Sequence, residues 1–296
     1  MNYEKFRETL AEEVRRQAEG RLLVRLETVT KNNGVKADAL ELRERGSRFA
    51  PLLYLDSFYE QYLRGVGVSH LASLVLDCYE EFSKNPPAAA EFIQIYEKAS
   101  PSIFCKVINY EKNLGLLEEV PHEKWMDLAV VYYYQMEIPG AGNAAVLIRN
   151  SHLEQWGITE SVLRERAWSN TVEKLRPVCR RLSEILAEDE RFEEEQPEGM
   201  AAIYLLTNTR KYLGAICIHY PGMAEQIGES LKSDYYVLPS SIHECLILPA
   251  EGFSEAQLKT MVEEINETRL PPQEVLSNQV YYYDRNLRRL AVAREA

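Results

Sequence analysis

The stretch Arg21-Leu22-Leu23-Val24-Arg25-Leu26-Glu27-Thr28-Val29-Thr30-Lys31-Asn32-Asn33-Gly34-Val35 decides how the fold is read. Leu22, Val24 and Leu26 alternate with Arg21, Arg25 and Glu27, the two-residue period of a half-buried strand. Lys31-Asn32-Asn33-Gly34 then predicts a hairpin turn, because Asn and Gly enter the left-handed backbone region at little cost. Val35 to Glu44 returns as the second strand. Upstream, Phe6, Leu10 and Val14 recur at four-residue spacing within residues 2–18, which predicts a helix.

Downstream the alternation of strand and helix continues. Leu52 to Leu55 reads as a strand, and Ser57 to Arg64 and Ser69 to Phe82 as helices. Asn85-Pro86-Pro87 breaks the pattern and marks a boundary. Ile103 to Tyr110 and Leu128 to Glu137 are apolar and rich in β-branched or Tyr residues, hence strands. Pro139 to Asn143 is a turn and Ala144 to Arg149 the returning strand. Thr159 to Asn170 predicts a helix, and Val172 to Leu186 a second, kinked at Pro177. The acidic run Glu188 to Gly199 is a second boundary. Ala202 to Leu206, Gly214 to His219, Tyr235 to Leu238 and Cys245 to Leu248 read as strands. Met223 to Leu231 and Ser254 to Thr268 read as helices, and the tail Tyr281 to Arg294 as partly helical. Strand pairs followed by grouped helices predict an α+β fold with antiparallel or mixed sheets, rather than a doubly wound parallel sheet. The boundaries divide it into modules at 1–85, 86–187 and 200–296. Three helices open alike, at Gly67-Val68-Ser69, Gly157-Ile158-Thr159 and Gly252-Phe253-Ser254, each offering a hydroxyl as N-cap; Ser254 and Gln257 fit a capping box.

Composition narrows the function classes. The 296 residues are 46% hydrophobic and 27% charged, ordinary for a globular chain with its own core. A net charge of −12 argues against a nucleic-acid binder, which needs surplus Lys and Arg facing phosphate. The longest purely apolar run, Leu128 to Tyr134, is far too short to cross a membrane, and the start lacks the features of a secretory signal. The five cysteines are odd in number and form no C-x-x-C pair. Cys105, Cys217 and Cys245 stand in apolar contexts, so buried free thiols in a reducing cytoplasm are expected.

The densest polar cluster is Leu238-Pro239-Ser240-Ser241-Ile242-His243-Glu244. A hydroxyl, an imidazole and a carboxylate lie close together there, so Ser241, His243 and Glu244 are the candidate catalytic residues. Ser240 and Asn208 are candidate ligand contacts. The same segment has a structural reading, since Ser241 and Glu244 form an S-x-x-E capping box. A metalloprotease pair would need a second His at position 247, which is Ile. If Cys217-Ile218-His219 and His243-Glu244-Cys245 were both extended, each Cys and His would share a strand face, and adjacent strands could gather a zinc set. Gly140-Ala141-Gly142-Asn143-Ala144-Ala145 matches a dinucleotide fingerprint by letters, but an apolar β-like stretch follows it, so it reads as a hairpin turn. Asn109, Asn150 and Asn208 end strands, where Asn mimics a backbone turn. Alternate members of a strand face opposite sides, so the triplets Tyr132-Tyr133-Tyr134 and Tyr281-Tyr282-Tyr283 predict at least one exposed ring each.

The strings Leu205-Leu206-Thr207-Asn208, Leu238 to Glu244, Asn170-Thr171 and Pro121-His122 resemble an uncharacterised family from Firmicutes, notably gut clostridia, known only as a domain of unknown function. The resemblance extends over nearly the whole chain. It implies an intracellular bacterial protein and carries over no activity, cofactor or catalytic residue. With no complete catalytic signature, the sequence reads as a cytoplasmic, non-enzymatic binding or regulatory module for a protein or small-molecule partner. No nucleic acid, membrane, cofactor or metal is expected. A hydrolase using the Ser240 to Glu244 segment is the alternative, and a zinc-stabilised module through Cys217, His219, His243 and Cys245 a further one.

Overall fold

Asn33 and Gly34 both take positive φ, 62° and 71°, and this lets strand β1 (Leu22–Thr30) reverse into β2 (Lys36–Glu44). The register places Val24 opposite Leu42 and Leu26 opposite Leu40, so the apolar residues of both strands share one face. Strand β3 (Leu52–Tyr54) pairs with β2 and completes an antiparallel sheet. Phe6, Leu10 and Val14 of the Tyr3–Gln17 helix pack on that face with Val24, Leu40 and Leu42. Leu71 and Val75 of the Val68–Lys84 helix close the same core. Asn2 caps the first helix by accepting from the Lys5 N–H at 3.0 Å.

The computed structural model describes residues 1–46, 50–84, 93–138, 142–188 and 202–293. The chain divides into two units, one of residues 1–93 with 137–143, the other of 94–136 with 144–296. The first is the helix-on-sheet arrangement above. The second holds two more antiparallel sheets, so the fold is α+β.

In the second unit β4 (Ile103–Asn109), β5 (His122–Trp125), β6 (Leu128–Ile138) and β7 (Gly142–Leu147) form one sheet. Strand β6 is central: β4 lies on one side, and β5 and β7 pair with it as well. The other sheet runs β13-β12-β10-β11-β9-β8. Its strands are β8 (Pro177–Arg181), β9 (Tyr204–Asn208), β10 (Tyr235–Leu238), β11 (Cys245–Pro249), β12 (Tyr281–Asp284) and β13 (Arg289–Val292). Residues read from sequence as a middle and a C-terminal segment therefore meet in one sheet, through the β8–β9 pairing.

Polar side chains join the two sheets, bonding to backbone and to one another. Asn109 donates to Leu276 O at 2.9 Å, and Ser277 and Tyr281 both donate to the Asp127 carboxylate, at 2.6 and 2.5 Å. Asn170, on the Glu160–Lys174 helix, donates to Ser100 O and Ile103 O, while Thr171 Oγ1 accepts the Cys105 N–H. Buried polar groups are thereby satisfied in pairs.

Three local expectations change. Gly214–His219 is a 3-10 helix, with Gly214 to Ile218 buried throughout. A short apolar run that is covered on every side has no period to tell strand from helix. The helix expected over Val172 to Leu186 stops at Lys174, and β8 begins at Pro177, whose ring pushes its predecessor toward extended backbone. The tail is a hairpin: Asp284 Oδ1 accepts from the Asn286 and Leu287 N–H groups, turning β12 into β13. Of the shared helix starts, Ser254 forms the full capping box, Thr159 is an N-cap without a side-chain bond, and Ser69 lies inside its helix. The boundary stretches around Pro86-Pro87 and after Glu188, and the turn at 139–141, lie outside the described residues. Among the described residues no helix is long and apolar enough to cross a membrane.

Leu40 is fully buried between the first helix and its own strand pair. Leu40→Ala should cost about 2–4 kcal/mol of the first unit's stability, measured by urea unfolding.

Candidate functional site

The register of β4 on β6 sets Phe104 against Tyr133 and Lys106 against Val131. Alternation puts Phe104, Lys106 and Ile108 on one face of β4. Ile108 belongs to an apolar cluster with Leu117, Val120, Ala129 and Val131. Phe104 belongs to another, with Tyr133, Leu175 and Leu213, against which Tyr212 and Ile242 pack. Lys106 thus places an ammonium between two apolar clusters. Its residue keeps part of its surface, yet protein crowds the amine, and that burial holds it down at about 8. The amine stands 6.0 Å from the centre of the Tyr133 ring. No carboxylate answers it among the described residues.

The loop after β9 contributes a second cation. Asn208 is buried, and its amide is spent on its own turn: Oδ1 accepts from the Arg210 N–H and Nδ2 donates to Tyr212 O, both at 2.9 Å. That turn presents Arg210, whose guanidinium carbon lies 5.9 Å from the Phe104 ring centre. Phe104 and Tyr133 in turn have their centres 5.9 Å apart. The Tyr133 hydroxyl is buried and has no hydrogen-bond partner among the described residues. Burial keeps its proton on, and so does the neighbouring Tyr212, while Arg210 acts in the opposite sense.

The Ser240 to Glu244 segment secures that loop. Thr207 Oγ1 and the Gly214 N–H both donate to His243 O, at 2.8 and 2.9 Å. The Leu213 N–H donates to His243 Nδ1 at 3.1 Å, so the ring proton sits on Nε2, 3.9 Å from the Glu274 carboxylate. Ser241 Oγ accepts the backbone N–H of His243 at 3.0 Å. Ser240 is nearly buried, and its carbonyl accepts from Leu276 N–H at 2.7 Å. Glu244 is half-buried, and its carboxyl is pushed up by burial, with His243 and Ser241 opposing that shift. Tyr212 lies with its ring centre 5.5 Å from that of His243. Ser241, His243 and Glu244 are therefore gathered, but the imidazole engages a backbone N–H, and neither ring nitrogen holds a serine hydroxyl. A cavity of about 800 Å³ opens along β13, beside Tyr282 and Leu290.

The zinc set does not assemble. Cys217 and His219 lie on the 3-10 helix rather than a strand. The His219 ring is held between Trp125, 4.3 Å away between centres, and Trp168, 5.3 Å away. Cys245 points its thiol at Ala215 O, 3.7 Å distant. Burial pushes the Cys217 thiol up to about 12, so it stays protonated. No group of three His, Cys, Asp or Glu side chains is placed to hold a metal among the described residues. Tyr132, Tyr133 and Tyr134 are all buried, so neither face of β6 is open to solvent there. In the second triplet Tyr281 and Tyr283 are buried and Tyr282 half-buried.

Lys106, Arg210, Tyr133, Tyr212 and Glu274 were not singled out from sequence as site residues. For Lys106 a signal existed: a charge interrupting the apolar run Ile103-Phe104-Cys105-Lys106-Val107-Ile108.

A family described as a family of unknown function, DUF5688, matches residues 3–285. The chain belongs to this family. No curated protein and no solved structure matches it. The site of this DUF5688 member therefore has to be read from its own geometry.

Two outcomes follow from that geometry. A Cβ built on Gly214 would stand 2.3 Å from Thr207 Oγ1 and 2.7 Å from His243 O, so Gly214→Ala should cost about 1–3 kcal/mol by thermal or urea unfolding. Replacing Lys106 by Met should stabilise the protein at neutral pH by about 2 kcal/mol, since the unpaired buried ammonium is removed. The folded amine titrates near 8, below its ordinary 10.5, so the unfolded chain holds more protons between those values. Wild-type stability therefore rises relative to Lys106→Met through that window, and the difference between them shrinks.

Proposed function

We propose that residues 94–296 form a binding module for a small anionic ligand, received where Arg210 and Lys106 flank the Phe104–Tyr133 pair. One observation carries this reading. In a chain with 46 acidic and 34 basic side chains, these two cations stand without a carboxylate partner among the described residues. Holding the Lys106 ammonium unpaired against apolar neighbours costs stability, a cost that a ligand's counter-charge would offset, and the exposed Arg210 is free to add a second positive charge. The guanidinium offers a fork for a carboxylate or phosphate, and the rings offer an apolar wall. The Tyr133 hydroxyl adds a hydrogen-bonding group that the protein leaves unused.

Hydrolysis at the Ser240 to Glu244 segment has less support. It would need a nucleophile on the His243 ring, where the Leu213 N–H and Glu274 stand instead. The segment serves the proposed site as its anchor, because it holds the loop that presents Arg210. Buried thiols at Cys105, Cys217 and Cys245 are in keeping with a reducing bacterial cytoplasm.

Calorimetric titration of the full chain with oxalate and with inorganic phosphate tests the reading. At least one anion should bind, and Arg210→Gln should weaken it about tenfold. Absence of binding by both anions, or affinity unchanged in Arg210→Gln and Lys106→Met alike, would overturn it.

A further inference from the structure

We propose that strand β13, at the edge of the six-stranded sheet, pairs antiparallel with β13 of a second copy of this chain. This surface is separate from the anion site, and the proposal does not depend on that reading. β13 ends the strand order and pairs with β12 alone. The Ala293 N–H donates to Val280 O at 2.8 Å, in the register that continues the strand pair. Antiparallel ladders alternate, so Ala291, opposite Tyr282, and Arg289, opposite Asp284, also turn their backbone groups toward β12. Leu290 and Val292 therefore turn theirs outward, and no strand takes them among the described residues. The opposite edge of the sheet is guarded, since β8 opens with Pro177 and closes with Arg180 and Arg181. Over Leu290-Ala291-Val292-Ala293 no proline or charge does the same.

The β13 edge complements itself. With Ala291 on the two-fold axis, Leu290 of each copy faces Val292 of the other, and each such pair can exchange both of its N–H···O bonds. The close, non-hydrogen-bonded position then falls on Ala291 against Ala291, where small side chains fit. Centring the pair on Leu290 or on Val292 would leave the other residue outside the second copy's strand. Charge agrees with the same register, which sets Arg289 of one copy opposite Ala293 of the other. Ala293 and Glu255 both line the cavity beside the strand, together with Tyr236 and Tyr282. Glu255 opens the Glu255–Thr268 helix, and neither it nor the exposed Arg289 has an ion-pair partner among the described residues. The second copy thus brings a guanidinium into the groove that holds Glu255, and the two-fold axis makes the contact twice.

Sedimentation velocity of the full chain over about 5–500 µM tests the pairing. A short strand contact implies weak association, so dimer should form at about 10–100 µM. Val292→Pro removes an outward N–H and leaves the bonds to β12 in place, so it should abolish the dimer with circular dichroism unchanged. Arg289→Glu and Glu255→Arg should each weaken association about tenfold or more, because like charges then meet. Mixed in equal amounts, the two variants should associate again, since opposite charges face each other at both ends. A folding defect would not give that recovery. In the unaltered protein the Leu290 and Val292 amides should exchange several-fold more slowly as concentration rises, while that of Ala291 is slow throughout. A chain that stays monomeric, its edge left to solvent or to another protein's strand, would overturn the proposal. So would a dimer that survives Val292→Pro, that is indifferent to both charge reversals, or that fails to recover when the two variants are mixed.

Discussion

The carbonyl of His243 is the contact on which the second unit's site depends. Thr207 Oγ1 and the Gly214 N–H both converge on it, and the His243 ring takes the Leu213 N–H besides. Three donors from one loop thus meet a single residue of the turn before β11. The loop between Thr207 and Gly214 is held at both ends, so the Asn208-tied turn inside it carries Arg210 to the Phe104 ring. Gly214 is required by this closeness, since any Cβ there would strike Thr207 and the His243 carbonyl. The hydrogen bonds that His243 makes from this string thus hold the Thr207 to Gly214 loop, chiefly through its backbone.

A second set of polar contacts joins the two sheets. Asp127, just before β6, accepts from Ser277 and Tyr281, and Asn109 at the end of β4 donates to Leu276. These bonds cross about 150 residues of sequence, and burial around Tyr281 raises their worth by excluding competing water. Against so much satisfied polarity the exceptions stand out. Lys106 and the exposed Arg210, beside the Phe104–Tyr133 pair, have no carboxylate partner among the described residues, and the buried Tyr133 hydroxyl, like that of Tyr132, has no hydrogen bond.

Much of the fold was legible because its signals are local. The β1–β2 hairpin follows from Asn33 and Gly34 and from two-residue alternation, both properties of adjacent residues. The Ser254 capping box follows from a fixed spacing to Gln257. Legibility failed where covering was three-dimensional. Gly214 to Ile218 is surrounded on every side, so its apolar run could not reveal a helical turn. The Tyr132 to Tyr134 triplet suggested an exposed ring only because a sheet was assumed to have one open face. Of the candidate residues, Ser240 to Glu244 and Asn208 stood out in the sequence as polar strings, whereas their hydrogen bonds to the backbone of the Thr207 to Gly214 loop are visible only in the tertiary structure.

What the amino-acid order alone determined is the α+β class, the β1–β2 hairpin with its turn, and the burial of Cys105, Cys217 and Cys245 in apolar runs. Each depends on period, turn chemistry or neighbouring hydrophobicity, which act over a few residues. Tertiary structure alone decided the strand order β13-β12-β10-β11-β9-β8, the backbone partner of the His243 ring, and the isolation of Lys106 between two clusters. A charge is unpaired only with respect to everything around it, and those surroundings come from segments more than a hundred residues apart.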